Sequence, residues 1–278
     1  MVQNFHLPPA GFGPGSQPTE DGDSFDYMAL PSGMRTYTSH LPEVEDVVPL
    51  APALALLAEI AAAADLVAQG AAPVTFDLSG LDSANRALMA ETLGQGEVSV
   101  RARGIPAIAM QESVFAGVWV LQGTGIDRVE VAQIPALAIS RAFLPLRPAI
   151  GGLARPSAGV VNAPALLVEL LDKSSRRSGP QDLHVVNLTL LPHTEEDLVW
   201  LDEALGEGSV TILSRGYGNC RVTATAQSHI WRVQFFNSMD SLILDTFEVT
   251  DMPEVVLAAP EDLADSAERI REVLEAIR

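Results

Sequence analysis

The chain has 278 residues, 47% hydrophobic and 19% charged, enough apolar material for a sizeable globular core. Aromatic residues make up only 5%, so that core must rest on Leu, Val, Ile and Ala. A net charge of −19 repels phosphate backbones and acidic membrane surfaces, which argues against nucleic-acid binding and favours basic partners.

Residues 1–46 are rich in Pro, Gly, Ser and acids, as in Gly11-Phe12-Gly13-Pro14-Gly15-Ser16-Gln17-Pro18 and Glu20-Asp21-Gly22-Asp23. Such composition buries too little apolar surface to offset chain entropy and predicts an extended, partly disordered, mobile segment. Phe25, Tyr27, Met28, Leu30 and Met34 are its candidate anchors to a surface. The first thirty residues lack the basic start and apolar run of a secretory signal, so the expected compartment is cytoplasmic. The most apolar stretch, Val47 to Ala64, is broken by Pro49, Pro52 and Glu59 and is expected to fall short of the roughly 20 apolar residues of a membrane span.

A helix is predicted from Ala53 to Gln69, with Pro52 in its first turn, followed by a strand at Val74 to Leu78. Asp82 can cap a second helix that buries Leu88 and Leu93 and stops at Gly94. Strands are predicted at 97–103, 108–115, 118–122 and 129–134. The plan then recurs. Pro164 starts a helix, His184 to Leu190 reads as a strand, and Thr194 with Asp197 forms a capping box for a helix lined by Leu198, Leu201 and Leu205. Strands follow at 209–214, 221–226, 230–236 and 242–249, then an amphipathic helix from Glu261 to Ile277 with an acidic start.

The recurrence is visible in the letters. Leu93-Gly94-Gln95-Gly96 returns as Leu205-Gly206-Glu207-Gly208, an offset of 112 residues. The same offset carries Ala51-Pro52-Ala53-Leu54 onto Ala163-Pro164-Ala165-Leu166, Arg103-Gly104 onto Arg215-Gly216, and Trp119 onto Trp231. Glu130-Val131 matches Glu248-Val249 at an offset of 118, the extra residues falling in the turn 236–240. The expected fold is α+β: an internal duplication of a helix-strand-helix-antiparallel meander unit, the copies related by a pseudo-two-fold axis with a binding cleft between them. Its predicted domains are the N-terminal segment 1–46, a first repeat at 47–140, a linker at 141–162, and a second repeat with the C-terminal helix at 163–278.

Chemistry is sought where the copies differ. Against Arg103-Gly104-Ile105-Pro106 stands Arg215-Gly216-Tyr217-Gly218-Asn219-Cys220, a Gly-rich hairpin loop expected to present Tyr217, Asn219 and Cys220. Cys220 is the only cysteine, which excludes an intrachain disulfide and a thiol cluster built from one chain. As a nucleophile it would need His193 or His229 as base, and no family signature surrounds it. His184, His193 and His229 lack ligand spacing, so no metal or cofactor is expected. Gly94-x-Gly96 and Gly206-x-Gly208 follow helices, which excludes a phosphate loop. Trp119 and Trp231 are predicted core anchors; Asp240 and Asp245 are read as solvated turn acids flanking a buried strand, Leu242-Ile243-Leu244. No catalytic set emerges, and the reading is a non-enzymatic binding protein.

Asn187-Leu188-Thr189-Leu190-Leu191-Pro192-His193-Thr194, Trp200-Leu201 and Ile212-Leu213-Ser214-Arg215-Gly216-Tyr217-Gly218-Asn219-Cys220-Arg221 resemble the hydrogenase expression/formation proteins of the HupH (HyaF) family. So do Trp231-Arg232-Val233-Gln234, Phe236-Asn237-Ser238, Leu244-Asp245-Thr246, Glu261-Asp262-Leu263 and, near the start, Gly13-Pro14-Gly15-Ser16-Gln17-Pro18 with Tyr27-Met28. The resemblance implies an accessory chaperone in [NiFe]-hydrogenase maturation. It would bind the iron–sulfur small-subunit precursor, with its basic leader peptide, before twin-arginine export, with another hydrogenase accessory protein as a second implied partner. Under that reading Arg215, Tyr217, Asn219, Cys220, Asn237 and Asp240 form the partner surface. A carrier of iron or a preformed iron–sulfur cluster, with Cys220 as a ligand, is the alternative.

Overall fold

The computed structural model describes residues 47–179, 182–216 and 218–277, so the N-terminal segment 1–46 and Tyr217 lie outside the described residues. Helix α1 (Ala51–Ala68) follows a 3-10 turn at Val48–Leu50 and buries Ala53, Leu57, Ile60, Ala61 and Ala64. The combined stretch Val48–Ala68 has mean hydropathy 1.9 and is long and apolar enough to cross a membrane, so the prolines and Glu59 do not shorten it as expected. Here that apolarity serves the core. After β1 (Val74–Asp77) comes α2 (Ser83–Leu93), where Asp82 accepts from the Asn85 N–H at 2.9 Å and Gly94 closes the helix at φ 53°.

Strands β2 (Val98–Ala102), β3 (Ile108–Glu112), β4 (Val118–Gly123) and β5 (Ile126–Val131) form a meander. A short helix α3 (Ala136–Arg141) follows Pro135. It was not expected, because six residues are too few to establish a 3.6-residue period. Then come α4 (Ala163–Ser175), β6 (His184–Asn187) and α5 (Glu195–Leu205), the last with the predicted capping box of Thr194 and Asp197. Strands β7 (Val210–Ser214), β8 (Asn219–Ala224), β9 (Ile230–Phe236) and β10 (Leu242–Val249) precede α6 (Pro260–Ile277).

All ten strands join one antiparallel sheet in the order β1-β5-β4-β3-β2-β7-β8-β9-β10-β6. Its middle is the β2–β7 pair, with Val100 opposite Ile212. The halves are therefore fused edge to edge rather than facing each other across a gap. Contacts hold the described residues together as one unit.

Side chains directly opposite across paired strands share a face. Val129, Val120, Gln111, Ser99, Leu213, Arg221, Gln234 and Asp245 thus lie on one side. On that side α1, α2 and α6 pack over Val118, Val129 and Val131 at one end, and α4 and α5 over Ile230, Phe247 and Val249 at the other. Between these layers Arg101, Ala109, Leu213 and Arg221 stand exposed on a strip of sheet that no described helix covers. The opposite face holds the central core of Val100, Met110, Trp119, Ile212, Val222 and Trp231, closed by α3 and a 3-10 turn at Glu254–Val256. Helices were expected on one face only; the short α3 and this turn cover the other.

The tails cross over. Helix α6, at the end of the chain, puts Leu263, Ala267 and Ile270 into the core of α1 and α2, and Arg271 pairs with Asp65. In return the stretch after α3 runs over the other half. Arg147 pairs with Asp202 at 2.6 Å, and Ala154 and Val160 pack beside α4 and α5.

Two buried carboxylates sit in opposite environments. Burial alone would raise Asp197, but backbone N–H groups of Ala163, Thr194, Val161 and Asn162 outweigh it and hold its pKa near 2. Those donors lie 2.8–3.0 Å from its two oxygens and tie the start of α4 to the start of α5. Asp197→Ala should therefore cost about 3 kcal/mol, because four backbone donors, one buried and three part-buried, lose their acceptor at once. Urea denaturation at pH 7 measures it.

Glu112 behaves oppositely. Burial, with Glu97 and Asp262 nearby, pushes it up to about 7 against the pull of the Gly117 N–H. Its ordinary pKa is 4.5, so its favourable contribution is full below that pH and is lost as pH rises through 7. Glu112→Gln keeps the shape of the protonated form. Relative to wild type it should gain up to roughly 3 kcal/mol between pH 5 and pH 8. An equal offset at both pH values would refute this.

Candidate functional site

At one end of the sheet β7 stops at Ser214 and β8 starts at Asn219, with Gly218 at φ 99° allowing the tight return. The Arg215 N–H donates to the Glu97 carbonyl at 3.2 Å, pinning the loop to the start of β2. The Arg215 side chain is exposed and makes no ion pair among the described residues. Asn219 pairs in register with Phe236, the last residue of β9, so the β9–β10 turn stands beside the loop. That turn is built on Asn237, whose Oδ1 accepts from the N–H groups of Met239 at 2.9 Å and Ser241 at 3.0 Å. Asp240 adopts φ 57°, and its Oδ1 accepts from Asn219 Nδ2 at 3.4 Å. Arg215, Asn219, Asn237 and Asp240 thus share one rim. Tyr217 falls outside the described residues.

Cys220 departs from the expectation. Strand alternation that turns Asn219 outward turns Cys220 inward, where it is 4% exposed in the central core. Burial, helped by Glu248, pushes its thiol up to about 11. It therefore keeps its proton at neutral pH, whereas nucleophilic attack and metal ligation both need the thiolate. His193 is engaged with the Leu191 carbonyl at 2.9 Å, and His229 faces Asp251. Among the described residues no group of three or more His, Cys, Asp or Glu side chains is placed to hold a metal.

Two further expectations fail here. Leu242-Ile243-Leu244 was read as a buried strand, but a bulge shifts the β9–β10 register between Leu242 and Leu244. Leu242 and Ile243 are consequently 48% and 57% exposed, next to Met239 at 79%. Asp245 was read as a solvated turn acid; it is buried, and its two oxygens accept from Arg232 Nε at 2.9 Å and Nη2 at 2.6 Å. The rim therefore combines exposed polar groups with an apolar tip that the sequence did not reveal, since nothing in the residue pattern marks the bulge.

The family described as "HupH hydrogenase expression protein, C-terminal conserved region" matches the chain twice, at residues 50–142 and 160–277. The chain is 66% identical over its full length, and that of its relative, to the hydrogenase expression/formation protein HupH of Rhodobacter capsulatus. It is 31% identical to the hydrogenase-1 operon protein HyaF of Escherichia coli, covering 98% of this chain and 95% of that one. A solved structure of the hydrogenase expression protein HupH from Thiobacillus denitrificans is 29% identical over 41% of this chain and 94% of its own, with a TM-score of 0.37. Matched end to end by its relatives and in both halves by the family pattern, the chain belongs to the HupH hydrogenase expression protein family.

Proposed function

We propose that this protein acts in hydrogenase maturation as a holding chaperone for the small-subunit precursor. The observation that carries the reading is the rim at the β7–β8 and β9–β10 turns. There Met239, Leu242 and Ile243 lie exposed beside the polar cluster of Asn219, Asn237 and Asp240. An apolar tip bordered by polar groups is the usual makeup of a protein contact. Arg215 extends it, while Cys220 supports the hairpin from beneath. Because that thiol is buried and protonated, an iron or cluster carrier relying on it is the weaker reading.

The surface rests on a proposed duplication, with copies at 47–140 and 163–278 related by a pseudo-two-fold axis normal to the sheet. Several observations support it. Val100 faces Ile212, its own counterpart at the offset of 112. Trp119 donates to the Ala132 carbonyl, and Trp231 to that of Thr250. Arg103 N–H bonds Ser209, and Arg215 N–H bonds Glu97, the same contact seen from either copy. The family pattern matches each half separately.

Replacing Met239, Leu242 and Ile243 together by Ser should lower co-purification of the precursor about tenfold or more, with thermal stability unchanged. Unchanged capture would remove the rim from the mechanism. Cys220→Ser should leave capture intact. If the acidic field draws in a basic leader, association of the precursor should slow several-fold between about 50 and 500 mM salt, while dissociation changes less. A leaderless precursor should lack this dependence, as stopped-flow mixing can show.

A further inference from the structure

Helix α5 carries a feature that its folding role does not need. Two clefts, of about 420 and 470 Å3, flank its outer face and share Val199 and Glu203. The second is walled by Glu195, Glu196 and Trp200. Trp200 is 7% exposed, and its indole N–H has no acceptor among the described residues. The other two tryptophans both have one: Trp119 donates to Ala132 and Trp231 to Thr250. A buried N–H without an acceptor costs on the order of 1–3 kcal/mol, so its retention calls for a reason.

The offset of 112 residues supplies a control within the same chain. Opposite Glu195, Glu196, Val199 and Trp200 it places Ser83, Ala84, Ala87 and Leu88 of α2. Leu88 fills the equivalent core site at 4% exposure with no polar atom to satisfy. Packing alone is thus met by Leu and by small neutral residues. The second helix adds two carboxylates, Glu195 and Glu196, beside a third, Glu203, that α2 matches with Glu91; none of the three on α5 makes an ion pair among the described residues, and with them come a 61% exposed Val199 and an unused hydrogen-bond donor.

We propose that the cleft beside α5 binds a basic peptide segment. Arginine or lysine side chains would meet Glu195, Glu196 and Glu203, an apolar residue would cover Val199, and a peptide carbonyl would accept from the Trp200 indole. Arg155, on the same wall, opposes cation binding and tunes it. The inference rests on the holding reading for the source of that peptide, the client's basic leader. The chemistry of the cleft does not depend on it.

The test uses the full chain and a synthetic peptide with two adjacent arginines followed by a leucine-rich run, beside a copy with glutamines for the arginines. Calorimetry and tryptophan emission are read together. Trp119 and Trp231 are fully buried on the opposite face, so an emission change reports Trp200. Wild type should bind the basic peptide with a shift in emission and ignore the glutamine copy. Glu195→Gln, Glu196→Gln and Glu203→Gln combined should weaken binding about tenfold or more, which corresponds to about 1.4 kcal/mol. Trp200→Phe should abolish the emission change and weaken binding a few-fold, and Arg155→Gln should tighten it. The Met239, Leu242 and Ile243 variant should bind the peptide normally.

Equal affinity for both peptides, or a triple-Gln variant as tight as wild type, overturns the proposal and leaves an ordinary solvated acidic face. A precursor that co-purifies while the peptide fails to bind sinks the cleft but spares the holding reading. A peptide that binds while no precursor co-purifies sinks the holding reading but spares the cleft.

Discussion

The pairing of β2 with β7 is the constraint on which the architecture depends. Each strand would otherwise be an open sheet edge, with unpaired N–H and C=O groups inviting association with any extended chain. Pairing them satisfies both edges at once and sets Val100 and Ala102 beside Ile212 and Val210 in a core fed by both halves. Neither half closes that core alone. The crossing tails reinforce the dependence, since α6 completes the core of α1 and α2 while the stretch after α3 lies on α4 and α5. The consequence is a single long sheet with two helical layers at its ends, which presents loops of both halves along common rims.

On such a scaffold, function is best sought in departures from equivalence. Positions that match at the offset of 112 share backbone tasks. Gly94 and Gly206 both close helices with positive φ, and a side chain at Gly206 would meet the Arg147 and Ala149 backbones at 2.5–2.6 Å. Gly117 takes φ 75°, and His229 holds the same turn at φ 61°, a conformation uncommon for a residue with a Cβ. Where the backbone task is common and the side chains differ, the difference is free to serve something else. The β7–β8 loop, the bulged tip of β10 and the outer face of α5 all fall in the second half. The first half answers them with a short turn, a regular strand and a helix that has Ser83 and Ala84 where α5 has Glu195 and Glu196.

How much of this the sequence disclosed follows from the range of each interaction. Helix boundaries at Asp82, Gly94, Thr194 and Gly206 are local, written in capping residues within four positions, and they were legible. Strands β9 and β10 were legible because their apolar runs are long and bounded by turns. The fusion of the halves was not, because strand order depends on which edges meet, and no residue in β2 names β7. The inward turn of Cys220 followed from β8 beginning two residues earlier than expected, at Asn219 rather than Arg221, which moves Cys220 from the loop into the strand's alternation. The exposure of Ile243 hinged on a bulge, and the burial of Asp245 on Arg232, a partner 13 residues away in sequence but adjacent across the strands.

The acidity of the chain and its local recognition surfaces act at different distances. A net charge of −19 is felt only over about a Debye length, some 8 Å at physiological salt, so it raises the encounter rate of any cation without choosing among them. Selection needs groups that are fixed and partly shielded from water. Asp197, satisfied by four backbone N–H groups, fixes the first turn of α5 and therefore the positions of Glu195 and Glu196. The carboxylate that stabilises the fold is turned inward and consumed by the backbone, while its two neighbours make no ion pair among the described residues. One turn of helix thus separates the two uses of acid in this protein: a buried one that determines where the helix begins, and exposed ones whose placement follows from it.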